Sequence, residues 1–350
     1  MPVYFHDMMK RKLLIFVAGI FVLSIVGAFM VYRTVFGISV FAGQKNTIVY
    51  IPTGAGFGQV LDTLNEHLQI EKPALFKWLA EKKSYPGNIK PGRYVISNNM
   101  SCIGLINLLR SGRQTPVRLT FNNIRKLEQL AGKIGAQLEP DSLKIITYLY
   151  DDSNYSKDGF SKETIISLFI PDTYELYWNT DPAKLYTRML KEYRIFWNDE
   201  RLKKAASSNL KPVEVAILAS IIDDEVARKD EKPRIAGVYL NRLKRGMPLQ
   251  ACPTIKFALN DFTITRVLYE HLEVVSPYNT YKHKGLPPGP VACPSKEGID
   301  AVLNAEEHDY IYFAAKSDFS GYHNFSRTLA EHNRYANQYQ KELDRRKIFK

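Results

Sequence analysis

The sequence predicts an α+β protein carried on one apolar N-terminal helix, and three stretches predict it. Leu13 to Tyr32 runs for twenty residues without a charge. Asn46 to Leu109 alternates short strand patterns with helical ones, and Lys211 to Phe257 begins as a helix with one apolar stripe and continues into a second helix. A charged fraction of 24% and a hydrophobic fraction of 45% are ordinary for a folded globular chain, and 350 residues allow two modest domains.

Twenty apolar residues suffice to cross a hydrocarbon core of about 30 Å. Lys10, Arg11 and Lys12 precede the run and only Arg33 follows closely, so residues 1–12 are expected in the cytoplasm, 13–32 in the membrane and the rest outside. Val26-Gly27-Ala28 would serve as a signal-peptide cleavage site, but the apolar run exceeds a usual signal core. Residues 33–45 are weakly patterned and read as a linker.

Asn46 to Pro52 (NTIVYIP) alternates as a strand and meets a tight turn at Gly54 to Gly58; Val60, Leu61, Leu64 and Leu68 then follow helical spacing. The turn GAGFG lacks the Lys-Ser/Thr of a phosphate loop. Pro73 opens a helix with Leu75, Phe76 and Leu79, Lys90 to Ile96 turns into a strand, and Ser101 caps a helix with Ile103, Ile106 and Leu109. These elements form a small module over 46–115, followed by a larger mixed domain over 116–350. That domain starts with a strand at Val117 to Phe121 and a helix through Leu127, Leu130 and Ile134. Residues 138–160 are polar around Asp151 to Asn154 and read as an exposed loop. Leu185 to Phe196 is helical, and Tyr310 to Ala314 reads as a buried strand.

The net charge of +12 is spread along the chain, with no arginine-rich tract and no nucleic-acid motif. With the bulk of the chain outside the cytoplasm, anionic lipid headgroups and anionic wall polymer are the fitting partners, not nucleic acid. Three cysteines, Cys102, Cys252 and Cys293, have neither C-x-x-C nor Cys/His metal spacing, so no metal or organic cofactor is indicated.

The helix entered through Pro212 carries Leu218, Ile221 and Ile222 as one stripe, and at about 100° per residue Glu225 falls roughly 20° from Leu218. Asp223 and Asp224 point elsewhere. A carboxyl pressed against apolar walls has its pKa raised by desolvation, as a general acid requires. A Glu that simply pairs with a cation at a helix end is the plainer alternative.

ASIIDDE, then NRLKRGMPLQACPT, then YNTYKHKGLPPGPVACP resembles the endolytic murein transglycosylases of the MltG/YceG family, with the motifs in order and at compatible spacing. The resemblance extends from the membrane segment to about Asn333. It implies that the strand–helix module at 46–115 is LysM-like and that Glu225 is the catalytic acid. It also implies that Tyr174, Asn241, Arg242, Gln250, Thr254, Tyr278, Asn279, Thr280, Tyr281, His323 and Ser326 line or brace a groove for peptidoglycan glycan strands. His332 and Asn333 match a further brace. Asp223 and Cys252 depart from the family pattern, where Glu and Asp usually stand. Cys252 and Cys293 border the same implied cleft; they either lie within the roughly 7 Å between Cα atoms that a disulfide allows, or are two independent small residues.

The implied activity is that of an inner-membrane, single-pass lytic transglycosylase. It would cut nascent strands between MurNAc and GlcNAc, leave 1,6-anhydro ends and end strand growth, beside peptidoglycan synthases and division proteins. A non-catalytic wall-binding scaffold and a water-using muramidase are the competing readings. Removing residues 1–33 is expected to leave a protein that folds and stays in solution without detergent; sedimentation and circular dichroism check it, and aggregation counts against a simple anchor.

Overall fold

The computed structural model describes residues 2–43, 45–122 and 124–348. The side chains of residues 2–8 and 10, including the basic flank at Lys10, lie outside the described residues. The chain divides into two units, one of residues 1–117 with 175–179, the other of residues 118–174 with 180–350.

The first unit opens with α1 (Pro2–Phe36), whose stretch Arg11–Phe36 contains an 18-residue window of mean hydropathy 2.8 with none of that window buried. At 1.5 Å per residue those 26 residues span about 39 Å, enough to cross a bilayer; a signal sequence has the same character. The expected linker is not slack. α1 stops at Gly37, whose N–H bonds to the Arg33 carbonyl at 2.9 Å, and the chain enters the core at once through Ser39 and Val40, both fully buried. Ser39 and Val40 donate to the Met100 carbonyl, the Ser39 carbonyl accepts from Glu71 N, and Cys102 N donates to Ser39 Oγ at 3.2 Å. The apolar residues Val40 and Ala42 were too few to stand out as a strand in the sequence, yet they form β1 (Val40–Ala42).

β2 (Asn46–Ile51) sends Val49 and Ile51 inward, and α2 (Phe57–His67) buries Val60 and Leu64. β3 (Leu68–Ile70) pairs antiparallel with β1, Val40 opposite Ile70. α3 (Pro73–Lys82) starts with proline at its first turn and buries Phe76 and Leu79. β4 (Gly92–Ser97) pairs antiparallel with β2 along its length, Ile51 opposite Gly92 and Asn46 opposite Ser97. α4 (Cys102–Ser111) is capped by Ser101 Oγ, which accepts from Gly104 N at 3.1 Å, and ends at Gly112 in the left-handed region (φ 69°), where glycine avoids the Cβ penalty. The inner faces of α2, α3 and α4 and both strand pairs share one core around Leu64, Phe76, Tyr94 and Leu105.

In the second unit β5 (Val117–Phe121) pairs with β6, which lies further on. α5 (Leu127–Gly135) and α6 (Ser142–Tyr150) pack as a helical hairpin. α6 replaces the exposed loop expected over 138–160. Ile145 and Leu149, four residues apart, are buried, and Tyr155 is fully buried with its hydroxyl on the Leu149 carbonyl. The polar run at 151–154 had masked that spacing. β6 (Asp172–Leu176), α7 (Pro182–Phe196) and α8 (Asp199–Ser207) lead to α9 (Pro212–Glu225).

α9 is apolar on all sides. Every residue from Val215 to Ile222 is buried, so the single stripe read from the sequence is one part of a fully enclosed helix. Its neighbours are α8, α10 (Lys232–Lys244), α11 (Cys252–Leu259) and α12 (Lys296–Leu303). The chain closes with β7 (Tyr312–Ala315), β8 (His323–Ser326) and α13 (Leu329–Arg345). The strand expected to be buried near Tyr310 is only half-buried: β7 and β8 form a two-stranded ribbon with α13 against it, and a lone ribbon is not enclosed as an inner strand would be.

α12 meets the end of α9 at Gly298, where a Cβ would fall 2.5 Å from Asp223 Oδ1. Gly298→Ala is therefore expected to lower stability by about 1–3 kcal/mol through overpacking, read as a lower denaturation midpoint at unchanged slope.

Candidate active site

Three carboxylates end α9, and each meets a different environment. Asp223 Oδ1 accepts from Lys232 Nζ at 2.5 Å and from Ser295 Oγ at 2.9 Å, and its Oδ2 accepts from Ser295 N at 2.6 Å. Ser295 in turn caps α12. Asp224 takes two parallel bonds from the Arg125 guanidinium at 2.6 and 2.7 Å. Glu225 is treated otherwise: the residue is half-buried, but its Oε2 is shielded from water and has no hydrogen-bond partner. Burial pushes its pKa from 4.5 up to about 7; the Lys256 ammonium acts the other way and the Asp224 carboxylate adds a smaller upward push.

The side chains whose charge acts on Glu225, or on which it acts, come from α10, α11 and the loop before α12. The Tyr239 hydroxyl is pushed far up by burial and then by Glu225, and the Cys252 thiol is raised by the same two causes in the same order. Tyr281 is raised first by burial; its hydroxyl lies 3.3 Å from Cys252 Sγ. All three are neutral at pH 7, so the carboxyl faces a polar but uncharged wall, with Lys256 the cation acting on it.

Of the groove residues expected from the sequence, one set is bonded into the segments that carry Cys252 and Tyr281, whose thiol and phenol feel the Glu225 charge. Thr254 and Thr280 share a hydroxyl contact of 2.8 Å, and Thr280 ties back to Gln250 N and Ala251 N at 3.0 Å each. Gln250 holds a left-handed backbone (φ 53°), and its Oε1 accepts from Arg242 at 3.1 Å. Arg242 is buried and donates to the carbonyls of Ile311 at 2.6 Å and Leu249 at 2.8 Å. Asn279 is buried too, its amide on the Leu272 and Val274 carbonyls and its Oδ1 taking Tyr281 N at 3.0 Å. These residues hold the wall, and Tyr281 presents the hydroxyl. Tyr278 packs on Phe257, ring centroids 4.6 Å apart and planes tilted by 43°, and lines a hollow of about 330 Å³.

A second set serves elsewhere. Tyr174, expected in the substrate cleft, is a core residue: its hydroxyl donates to the Ile170 carbonyl at 2.5 Å and its ring stacks on Phe121. Asn241 points its amide at the His308 and Tyr310 carbonyls, 2.6 and 3.0 Å away, and lines a different cavity of about 730 Å³. His323 is held by the buried Glu231, Nδ1 to Oε2 being 2.8 Å, and Ser326 is buried with its hydroxyl unpaired among the described residues. The two cysteines do not pair. Both are free thiols, Cys293 Sγ donating to the Phe169 carbonyl at 2.8 Å while Cys252 faces Tyr281. Among the described residues no three of His, Cys, Asp and Glu gather as a metal site.

The sequence reading missed Tyr239, Lys256 and Arg125. Lys256 was within reach, since it stands four residues after Cys252 on one helix and so shares its face. Arg125 joins Asp224 across 99 residues, a pairing no local pattern announces.

The YceG-like family model matches residues 49–338. The chain belongs to the YceG-like family. Among its relatives, the endolytic murein transglycosylase of Bacillus subtilis (strain 168) is 29% identical over 319 residues, which cover 85% of this chain and 86% of that protein. The endolytic murein transglycosylase of Streptococcus pneumoniae (strain ATCC BAA-255 / R6) is also 29% identical, over 78% of this chain; the match spans about half, 54%, of that longer protein. A crystal structure of a putative YceG-like protein from Listeria monocytogenes superposes with a TM-score of 0.54 at 27% identity, covering 83% of this chain and 98% of that one. The mixed α+β architecture of this YceG-like chain is thus shared with a solved relative.

A folded pKa above the unfolded value means that the native state keeps the Glu225 proton after the unfolded chain has lost it. Stability from this group is complete below pH 4.5 and falls as the pH rises to about 7, by about 3 kcal/mol in all. Glu225→Gln, which cannot ionise, is expected to be the more stable protein at pH 8 and to match the parent at pH 4; thermal melts at both pH values measure this.

Proposed function

We propose that the chain is a membrane-anchored peptidoglycan lytic transglycosylase that cuts glycan strands internally, with Glu225 as its proton donor. The observation that carries this reading is the Glu225 carboxyl, whose Oε2 is shielded from water without a hydrogen-bond partner and which keeps its proton up to about pH 7. Its support from outside the site is the family and the names of the relatives, endolytic murein transglycosylases along most of the chain.

Cleaving the bond from MurNAc to GlcNAc requires a proton on the leaving oxygen while positive charge grows at the anomeric carbon. A neutral carboxyl near pH 7 supplies that proton. Hydrolases add a second carboxylate, to attack or to activate water. Here the two nearest in sequence are committed, Asp223 to Lys232 and Ser295, Asp224 to Arg125. That commitment favours attack by the sugar's own C6 hydroxyl, which closes a 1,6-anhydro ring and needs no external nucleophile. Glu225, ionised by its first transfer, then takes the hydroxyl proton and is restored.

In this reading α1 is a single-pass anchor in the cell (inner) membrane, and the remainder works outside the cytoplasm on nascent strands, ending their growth. The β2–α2–β3–α3–β4 order of the first unit, with β2 and β4 paired antiparallel, supports a LysM-like module that grips glycan.

Digesting purified glycan strands and weighing the products tests the proposal. The parent protein is expected to give anhydro-muropeptides and Glu225→Gln none, a loss of at least about 100-fold. Because the acid must be protonated, kcat/KM is expected to fall about tenfold per pH unit above pH 7. Reducing ends would indicate a water-using muramidase, and turnover by Glu225→Gln would place the acid elsewhere.

A further inference from the structure

The terminus of α9 separates two kinds of surface. Glu225 faces the neutral wall of Tyr239, Cys252 and Tyr281. Asp223 and Asp224 instead line a cavity of about 490 Å³ together with Arg125, Lys232, Ser295 and Lys296, a volume ordinary for a small-ligand site. Its inner charges are fixed: Arg125 holds Asp224 through two bonds, and the pair Lys232–Asp223 leaves those side chains only 10% and 18% exposed. Its outer charges are not. Lys296 pairs with Asp172, side chains 40% and 49% exposed, and Glu297 pairs with Lys229 at 3.1 Å, 55% and 76% exposed. Pairs so open to water are weakly held and exchange partners readily.

Arg125 lines this cavity and also the hollow in which Tyr278 and Phe257 pack together. The hollow carries charges of its own, on Lys126, Glu128, Lys162 and Glu163, but it also offers the rings of Tyr150, Phe257 and Tyr278, which suit the apolar faces of a sugar. The cavity has no aromatic ring in its lining, and a ligand that brings charges of its own compensates the formal charges it desolvates there better than a neutral hexose does. A muramyl residue, however, bears a lactyl-linked peptide with free carboxylates, and with an amine where it ends in a diamino acid.

The geometry points to this cavity as the seat of that stem peptide, with Lys296 passing from Asp172 to a peptide carboxylate and Glu297 from Lys229 to a peptide amine. The inference rests on Glu225 being the acid that cuts the strand, since it sets the peptide beside the muramyl sugar at the reacting bond. It makes the protein selective for strands that still carry their peptides.

Strands with peptides and the same strands stripped by an amidase are given to the full-length protein. Stripping is expected to lower kcat/KM about tenfold or more, chiefly through KM, as the loss of a charged hydrogen bond does. Lys296→Met is expected to bring the ratio between the two substrates towards one. Equal cleavage of both substrates by the parent protein overturns the inference. The amidase-released peptide is also titrated by calorimetry into Glu225→Gln, which needs no turnover. Binding that Lys296→Met weakens in the same background supports the cavity even if the acid lies elsewhere, and no binding at millimolar peptide overturns it even if Glu225 is the acid.

Discussion

A carboxyl with one oxygen shut away from water, at the end of an enclosed helix, is the constraint around which the second unit is arranged. The C-terminus of a helix carries partial negative charge, so three successive acidic residues there are each disfavoured as anions. Asp223 and Asp224 are relieved by cations brought from α10 and from the segment before α5. Glu225 has no such relief within bonding distance; it is relieved by keeping its proton. One helix end thereby yields two bonded braces and one carboxyl that keeps its proton, a division that environment alone imposes on nearly identical groups.

The braces also explain how the acid is held in place. Asp223 binds both the start of α10 and the cap of α12, and Asp224 binds Arg125, so the last turn of α9 is fixed from three directions. On the opposite side the 250–254 and 279–281 segments are laced by Thr254, Thr280, Gln250 and Asn279, which leaves Tyr281 and Cys252 facing the carboxyl. Where relatives of the resembled pattern carry Asp, Cys252 here stays neutral, because burial and Glu225 both raise its pKa. A carboxylate there would set a second acid beside the first; a thiol leaves the proton with Glu225.

The sequence made local features legible and long-range ones opaque. Ser101 as a cap, Pro73 and Pro212 at helix starts, and the β2 alternation all act within a few residues and stand where their chemistry requires. Helical phase sets Glu225 on the apolar face, although α9 is buried all round and not along one stripe. What escaped was set by partners far along the chain. β1 forms because residues 68–70 and 100 receive it, and α6 was hidden by the polar run that follows it. Tyr174, Asn241 and His323 sat in motifs that resembled a substrate cleft, but residue type cannot tell a side chain that touches a ligand from one that props the wall behind it. Their bonds to Ile170, His308 and Glu231 place them in the second class.

The stretch after α1 shows why this distinction matters for mechanism. Residues 33–45 look like a tether by composition, yet Gly37 turns the chain straight into the core and a Cβ there would lie 2.2 Å from the Arg33 carbonyl. The buried contact of Ser39 with Cys102 and the pairing of Val40 with Ile70 then fix the chain on both sides. α1 therefore enters the core of the first unit without slack, and that unit has no flexible tether whose entropy would be lost on ordering. Restraint applied before binding spares ordering cost at binding, the same physical economy that the bonded braces of α9 provide for its acid.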